Sequence, residues 1–425
     1  MLQKTHKQES PPVKNKNIIN KSIWAAVIVL SLILAIEGFF ILLGPNKDNG
    51  TEIDEPAEEL PVEHGGEPRT GPLEDYVKHI HRSEVINGLK QEINILEIDQ
   101  RVPGVNIKPA LSYDLIYGYE LFSKIAARHD AYAAVNGGFF RDYGLPSGMV
   151  VIDGQLISAA TGKYPVFVLR GGQAELKEID SKLSLVIRRG DGDTAGSAGA
   201  GDGVGSDLSD RGPLNITIDN INFPGTGKQI IVYTPVYGRT NRADKRNITA
   251  TVTDGIVTKI AEYDKEAQIP ADGMLITFYD ISAYKGKEMP VQVGDRVELI
   301  HEPDMTGDVQ AYECGCWLVR DGVSVVGDSD PWVGVLTNRD PRTAIGIRED
   351  GTVILLTVDG RQPGYSAGFT GRELAEYLIV CGAVDAAMLD GGASTAMLFE
   401  GELVNRPSHK GQEREIAGAI LVLLE

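Results

Sequence analysis

Cysteine is scarce, with three residues in 425, at positions 314, 316 and 381. No disulfide framework can be read from them, because Cys314 and Cys316 stand too close for an unstrained bridge and Cys381 falls in an expected helix. Cys314-Gly315-Cys316 would be half of a metal site, yet no second Cys or His pair at ligand spacing accompanies it, so small buried residues are the better reading. Basic residues are also short, 41 Lys and Arg against 60 Asp and Glu, for a net charge of −19. That excludes nonspecific nucleic-acid binding and means that an anionic substrate must meet a local cluster of arginines. No histidine lies near a serine in a triad-like setting, which disfavours serine nucleophilic catalysis.

Long apolar runs are missing too, except for one from Ile23 to Leu43. That length suits a single membrane crossing, which needs about 20 residues. Lys4, Lys7, Lys14, Lys16 and Lys21 precede it and a string of acidic residues from Asp48 to Glu67 follows, which puts the N-terminus in the cytoplasm and the rest outside. A cleaved signal peptide is the rival, but the run exceeds the usual apolar core of about 7–15 residues and no small-x-small site follows. The expectation is an uncleaved signal-anchor: a basic tail over 1–22, a transmembrane helix over 23–43, an acidic tether over 44–72 and one extracellular domain over 73–425. Within that domain, 190–213 is rich in Gly and Asp without an apolar period. It lacks the register of a calcium loop and reads as an exposed insertion.

Glu92–Asp99 is a β-rich run, and the spacing predicts a helix over 115–129 with Leu121, Phe122, Ile125 and Ala126 on one stripe, feeding a strand at 131–135. Short β-branched runs at 229–234, 246–253, 256–263, 274–278 and 295–301 point to a largely antiparallel sheet, and 352–358 to a buried strand. Thr370-Gly371-Arg372-Glu373 is a capping box for a helix over 371–381, closed by Gly382. The fold class is therefore α+β, with large mixed, mostly antiparallel sheets and a few packed helices behind a single transmembrane helix.

Three constellations place polar residues in glycine turns at strand ends: Asn136-Gly137-Gly138-Phe139-Phe140, the pair Pro341-Arg342-Thr343 and Asp359-Gly360-Arg361, and Leu389-Asp390-Gly391-Gly392-Ala393-Ser394-Thr395. With Val252–Thr258, Ala271-Asp-Gly273, Asn405-Arg-Pro-Ser408 and Arg414, they occur in an order that resembles the phosphodiester glycosidase family across Glu92–Glu425. Its animal member is N-acetylglucosamine-1-phosphodiester α-N-acetylglucosaminidase, and its bacterial relatives are of the exopolysaccharide-biosynthesis type. The chain departs from the pattern in the 190–213 insertion, in Cys314-Gly315-Cys316 where relatives show a glycine run, and in Ala393 for a glycine.

The resemblance implies a hydrolase of a sugar-1-phosphodiester in cell-wall or extracellular glycan. The leaving group of such a reaction is already a phosphate monoester, so its departure needs charge stabilisation. Arg342 and Arg361 are the expected guanidiniums, which can fork onto two phosphate oxygens where lysine cannot. Asp390 and Asp359 are the candidate carboxylates for the anomeric carbon. Asn136, Gly137, Gly138, Gly391, Gly392, Ser394, Thr395, Asn405 and Arg414 are expected to bind substrate. Glu373 is explained by its cap, and His409 by solvation on a charged loop. No metal ligands are assigned and no cofactor is called for, with a divalent cation left open. A noncatalytic surface protein that binds anionic glycan, and a hydrolase of another anionic glycan, are the alternatives.

Overall fold

The computed structural model describes residues 71–190 and 212–425. The basic tail, the apolar run at 23–43 and nearly all of the tether lie outside the described residues, as does most of the glycine-rich insertion. Among the described residues, no helix is long and apolar enough to cross a membrane.

The site-bearing half is built on a seven-stranded antiparallel sheet whose order is Val77–Ile86, Leu89–Ile98, Val353–Val358, Arg342–Arg348, Ala383–Met388, Trp317–Arg320, Val323–Ser324. The first two strands form a hairpin ten pairs long. Its turn, Asn87-Gly88, takes φ of 51° and 76°, the left-handed pair that matches the twist of two-residue hairpins. The central strands are apolar on both faces because both faces are covered. Val353 and Leu355 pack to one side and Ile354, Leu356 and Val358 to the other, against Leu374 and Leu378 of the helix Gly371–Val380. Each of those leucines contributes about 1.5–3 kcal/mol by leaving water.

On its other face lies a five-stranded sheet, in the order Glu402–Leu403, Met397–Phe399, Ala133–Asn136, Gly418–Leu424, Val105–Leu111. Val135, Ile420 and Val422 meet the first sheet, while Ala134, Leu421 and Leu423 meet Phe122 and Ile125 of the helix Phe122–Arg128. The period of two thus sorts each strand between two interfaces and makes a helix–sheet–sheet–helix stack. The rest is a five-stranded sheet that includes Val309–Glu313, an eight-stranded sheet and two two-stranded ones, all antiparallel apart from the pairing of Asn220–Ile221 with Ile230–Tyr233. Lys182–Arg188 and Leu214–Thr217 pair with each other, so the insertion joins two neighbouring strands of one sheet.

The capping box forms as its sequence dictates: Thr370 Oγ1 accepts from the Glu373 N–H at 3.2 Å and the Thr370 N–H donates to the Glu373 carboxylate at 3.0 Å. The helix expected over 115–129 is shorter. Tyr113 and Asp114 turn left-handed, Glu120–Leu121 pairs with Glu415–Ile416, and only Phe122–Arg128 winds.

Candidate functional site

Strand geometry delivers three motifs to one place. Val353–Val358 and Ala383–Met388 both run antiparallel to Arg342–Arg348, one on either side, so both emit their C-terminal turns beside Arg342. Asn136 arrives from the second sheet and rivets the layers. Its Nδ2 donates to the Asp390 carbonyl at 2.7 Å and the Gly137 carbonyl at 3.0 Å. Its Oδ1 accepts from Thr343 Oγ1 at 2.7 Å and the Ala396 N–H at 3.2 Å. With 1% exposure and both ends of the amide engaged inside the protein, Asn136 holds the site together; the expectation that it reaches a sugar is corrected. Gly137 and Gly138 are correspondingly packing residues. A Cβ on Gly137 would stand 2.7 Å from Tyr312 Oη, and one on Gly138 2.8 Å from the same ring.

Asp390 is partly buried in the turn after its strand. One carboxylate oxygen accepts from the Gly391 N–H at 2.9 Å. Burial pushes the carboxyl above the ordinary aspartate range, opposed by a hydrogen bond from Ser394, the charge of Arg414 and the Gly391 N–H. Gly392 has a φ of 62°, and a Cβ there would lie 3.2 Å from Arg361 Nη1, so the missing side chain lets that guanidinium rest over the turn. The hydroxyls behind the turn are spent internally. Ser394, 3% exposed, bonds Asp390, and Thr395, 1% exposed, takes a bond from Thr343 at 3.3 Å. Neither is presented to a ligand as expected.

The arginines divide into a buried one and two open ones. Arg342 is 4% exposed, with Nε on the Phe369 carbonyl at 3.1 Å and Nη2 on the Asn338 carbonyl at 3.0 Å. Burial lowers its pKa, and Asp340, 3.8 Å away, works against that. It is a scaffold cation, which corrects its expected place as a direct phosphate fork. Arg361 is half exposed and held at Nε by Asp340 Oδ1 at 2.7 Å. Its two terminal nitrogens make no hydrogen bond with the described residues. Arg414 likewise makes no hydrogen bond or ion pair among them; its guanidinium stands 5.9 Å from the Phe140 ring centre and acts on Asp390 through its charge.

Asp359 is placed differently from its expected catalytic position. It is 1% exposed. Its Oδ1 accepts from Asn405 Nδ2 at 2.8 Å, and its Oδ2 from the Arg406 N–H at 2.8 Å and Tyr365 Oη at 3.2 Å. Burial raises its pKa against those three donors. Asn405 completes the knot by bonding the Thr395 carbonyl and the Met397 N–H, so it too is a tie between loops. Sequence reasoning passed over Asp340, which orients Arg361, and Tyr312, whose hydroxyl meets the Gly138 N–H within the field of Asp390. Asp340 immediately precedes the Pro341-Arg342-Thr343 motif; Tyr312 sits in an ordinary strand pattern and only the fold brings it here.

Residues 246–423 match the model of the phosphodiester glycosidase family. This segment is phosphodiester glycosidase-like. The match takes in Arg342, Asp359, Arg361, Asp390, Asn405 and Arg414, while Asn136 precedes it. Among relatives, the SPbeta prophage-derived uncharacterized protein YomE of Bacillus subtilis is 31% identical over 159 residues, 36% of this chain and 24% of that protein. Bovine N-acetylglucosamine-1-phosphodiester α-N-acetylglucosaminidase (Bos taurus) is 31% identical over 119 residues, 25% of this chain and 22% of the enzyme. The chain thus matches under a quarter of the length of either. A hypothetical protein from Synechocystis shares the fold at a TM-score of 0.63 and 22% identity, covering 83% of this chain and 62% of that one.

Proposed function

We propose that the chain hydrolyses a sugar-1-phosphodiester of the N-acetylglucosamine-1-phosphate type in cell-wall or other extracellular glycan, held at the cell surface by an apolar anchor at 23–43. The observation that carries the reading is one carboxylate, Asp390, in a glycine turn under the charge of Arg414, with Arg361 resting against Gly392 of the same turn and its two terminal nitrogens unbonded among the described residues.

Hydrolysis breaks the bond between the anomeric carbon and the phosphate oxygen, adds water to the carbon and gives a phosphate monoester carrying one more negative charge. Arg361 and Arg414 supply donors where that charge grows, and a guanidinium fork stabilises it more as it grows. Asp390 faces the opposite demand, the positive character at the anomeric carbon, and serves as the carboxylate that attacks or activates water. Arg342, Asp340, Asn136 and Asp359 fix the positions of these groups.

The test is to incubate the full chain with UDP-N-acetylglucosamine and with a methyl phosphodiester of N-acetylglucosamine-1-phosphate, and to identify released sugar by mass spectrometry. Release by the native protein and not by Asp390→Asn supports the reading. Saturable binding of these compounds without turnover favours a glycan-binding surface protein instead.

A further inference from the structure

The chain carries 60 acidic against 41 basic residues, so carboxylates are plentiful, yet the segment Asn405–Arg414 holds cations that none of them answers. Arg406, Lys410 and Arg414 make no ion pair and no side-chain hydrogen bond among the described residues. Glu413, the one carboxylate of the segment, is spent on the Ser123 N–H at 2.7 Å. Arg414 already acts on Asp390 through its charge. Arg406 has no part in the proposed reaction.

The chain on either side fixes its position. The Arg406 N–H donates to Asp359 Oδ2 at 2.8 Å, and its carbonyl accepts from Gln362 Nε2, the neighbour of Arg361, at 2.8 Å. Two residues on, Ser408 Oγ donates to the Gly392 carbonyl at 3.4 Å, in the Asp390 turn. Two residues of chain span at most about 7 Å. The Arg406 backbone is therefore bonded to the Arg361 turn and lies within that span of a residue bonded to the Asp390 turn. Its exposed guanidinium stands 5.1 Å from the centre of the Tyr365 ring. Tyr365 is itself held, with Oη on Asp359 Oδ2 at 3.2 Å and its N–H on the Gln362 carbonyl at 3.0 Å. Attraction to a ring steadies the charge but gives its N–H groups no oxygen to bond. A steadied guanidinium with open donors is the complement of a phosphate, whose oxygens it can take two at a time. One phosphodiester brings a single negative charge, and Arg361 and Arg414 already meet it.

We propose that Arg406 binds a second phosphate of the substrate, so that the molecule hydrolysed carries a further phosphate beside its scissile phosphodiester. That phosphate is either joined directly to the first, as in a nucleoside-diphosphate sugar, or set one sugar along, as in a sugar-phosphate polymer. The inference rests on the proposed activity for the place of the first phosphate, but binding of the second requires no catalysis.

The experiment measures kcat and KM of the full chain on three compounds. These are the methyl phosphodiester of N-acetylglucosamine-1-phosphate, the methyl ester of N-acetylglucosamine-1-diphosphate, and a synthetic two-repeat oligomer of N-acetylglucosamine-1-phosphate. One of the two-phosphate compounds is expected to show a lower KM than the methyl phosphodiester, and which one does so identifies the source of the second phosphate. Arg406→Ala should raise KM for that compound about fivefold to tenfold, the worth of an exposed charge-assisted contact. It should keep kcat and produce no comparable rise for the methyl phosphodiester. Arg406→Lys should restore part of the difference, and rising salt should erode it. Calorimetric binding of the same compounds to Asp390→Asn separates this inference from the proposed activity. Absence of turnover by the native protein counts against the activity, whereas tighter binding of a two-phosphate compound, lost when Arg406→Ala is added, supports the second phosphate by itself. Melting temperatures show whether Arg406→Ala has loosened the segment, and Arg406→Gln provides a second route to the same loss. Equal losses on one-phosphate and two-phosphate compounds, or no loss on any, overturn the inference.

Discussion

Asp359 and Asp390 end two strands that flank the same neighbour, Arg342–Arg348, and each is followed at once by glycine. Their surroundings differ in one respect. Asp359 meets three donors and 1% exposure, so both of its oxygens are answered from inside the protein. Asp390 meets one backbone N–H and one hydroxyl, and two open guanidiniums lie around its turn. Identical residue types in matching turns therefore form a closed knot in one case and, in the proposed activity, the reacting group in the other. What separates them is whether the protein has left the carboxylate and its neighbours anything to bind.

The comparison is broken most directly by exchanging the two roles through mutation. Asp390→Asn keeps the shape of the turn and is expected to lower kcat by a factor on the order of a hundred or more without lowering the melting temperature. Asp359→Ala should do the reverse. It strands three donors in the interior and is expected to cost about 2–4 kcal/mol of stability, while protein kept below its lowered melting temperature retains most of its turnover. Urea titration and initial rates on the same preparations check both, and a stable, inactive Asp359→Ala would return that residue to the catalytic group.

The arginines carry the same contrast at smaller amplitude. Arg361→Ala removes a half-exposed fork and is expected to lower kcat/KM for the phosphodiester by about tenfold to a hundredfold, the worth of one or two charge-assisted hydrogen bonds. Stability should stay within about 0.5 kcal/mol, as for most exposed substitutions. Arg342→Ala should instead lower the melting temperature, because it removes the donors on the Phe369 and Asn338 carbonyls from the buried start of a central strand. Equal kinetic defects in two equally stable variants would show that Arg342 reaches the phosphate after all.

How far the sequence foretold this depends on whether a feature is local. The strand Ile256–Tyr263 and the Thr370–Glu373 capping box stand where alternation and cap chemistry put them, because both are decided by residues within four positions. The stripe Phe122, Ile125, Ala126 was legible as helical, but its start was not. Pairing of Glu120–Leu121 with Glu415–Ile416, almost 300 residues away, claims the positions that periodicity assigned to the first turns. The Val77–Ile86 strand was passed over although Asn87-Gly88 is a strong hairpin signal. At the site, the motifs mark turns that the fold brings together, but not which side chains in them are already bonded. Asn136, Asn405, Thr395 and Asp359 are polar residues in glycine turns, the same signature as a ligand-facing group, and only the partners supplied by distant chain segments show that they are already satisfied.

The smallest effect, and the one that separates the two carboxylates without altering packing, is in pH dependence. Both are raised above the ordinary aspartate range, in each case chiefly by burial. In the window between the unfolded value and the raised folded value, the native state binds more protons than the unfolded chain. Stability therefore falls as pH rises through that window and is flat above it. Each aspartate contributes to this slope, so Asp359→Asn and Asp390→Asn should each make the fall in urea midpoint shallower. Activity divides them. If Asp390 acts as the ionised group, the acid limb of kcat/KM lies above the ordinary carboxylate range in the native protein, stays there in Asp359→Asn, and vanishes from the residual activity of Asp390→Asn. An acid limb that moves with Asp359→Asn and ignores Asp390→Asn would mean that the carboxylate enclosed in hydrogen bonds is the one that titrates in the reaction, and that the openness of the Asp390 turn serves binding alone.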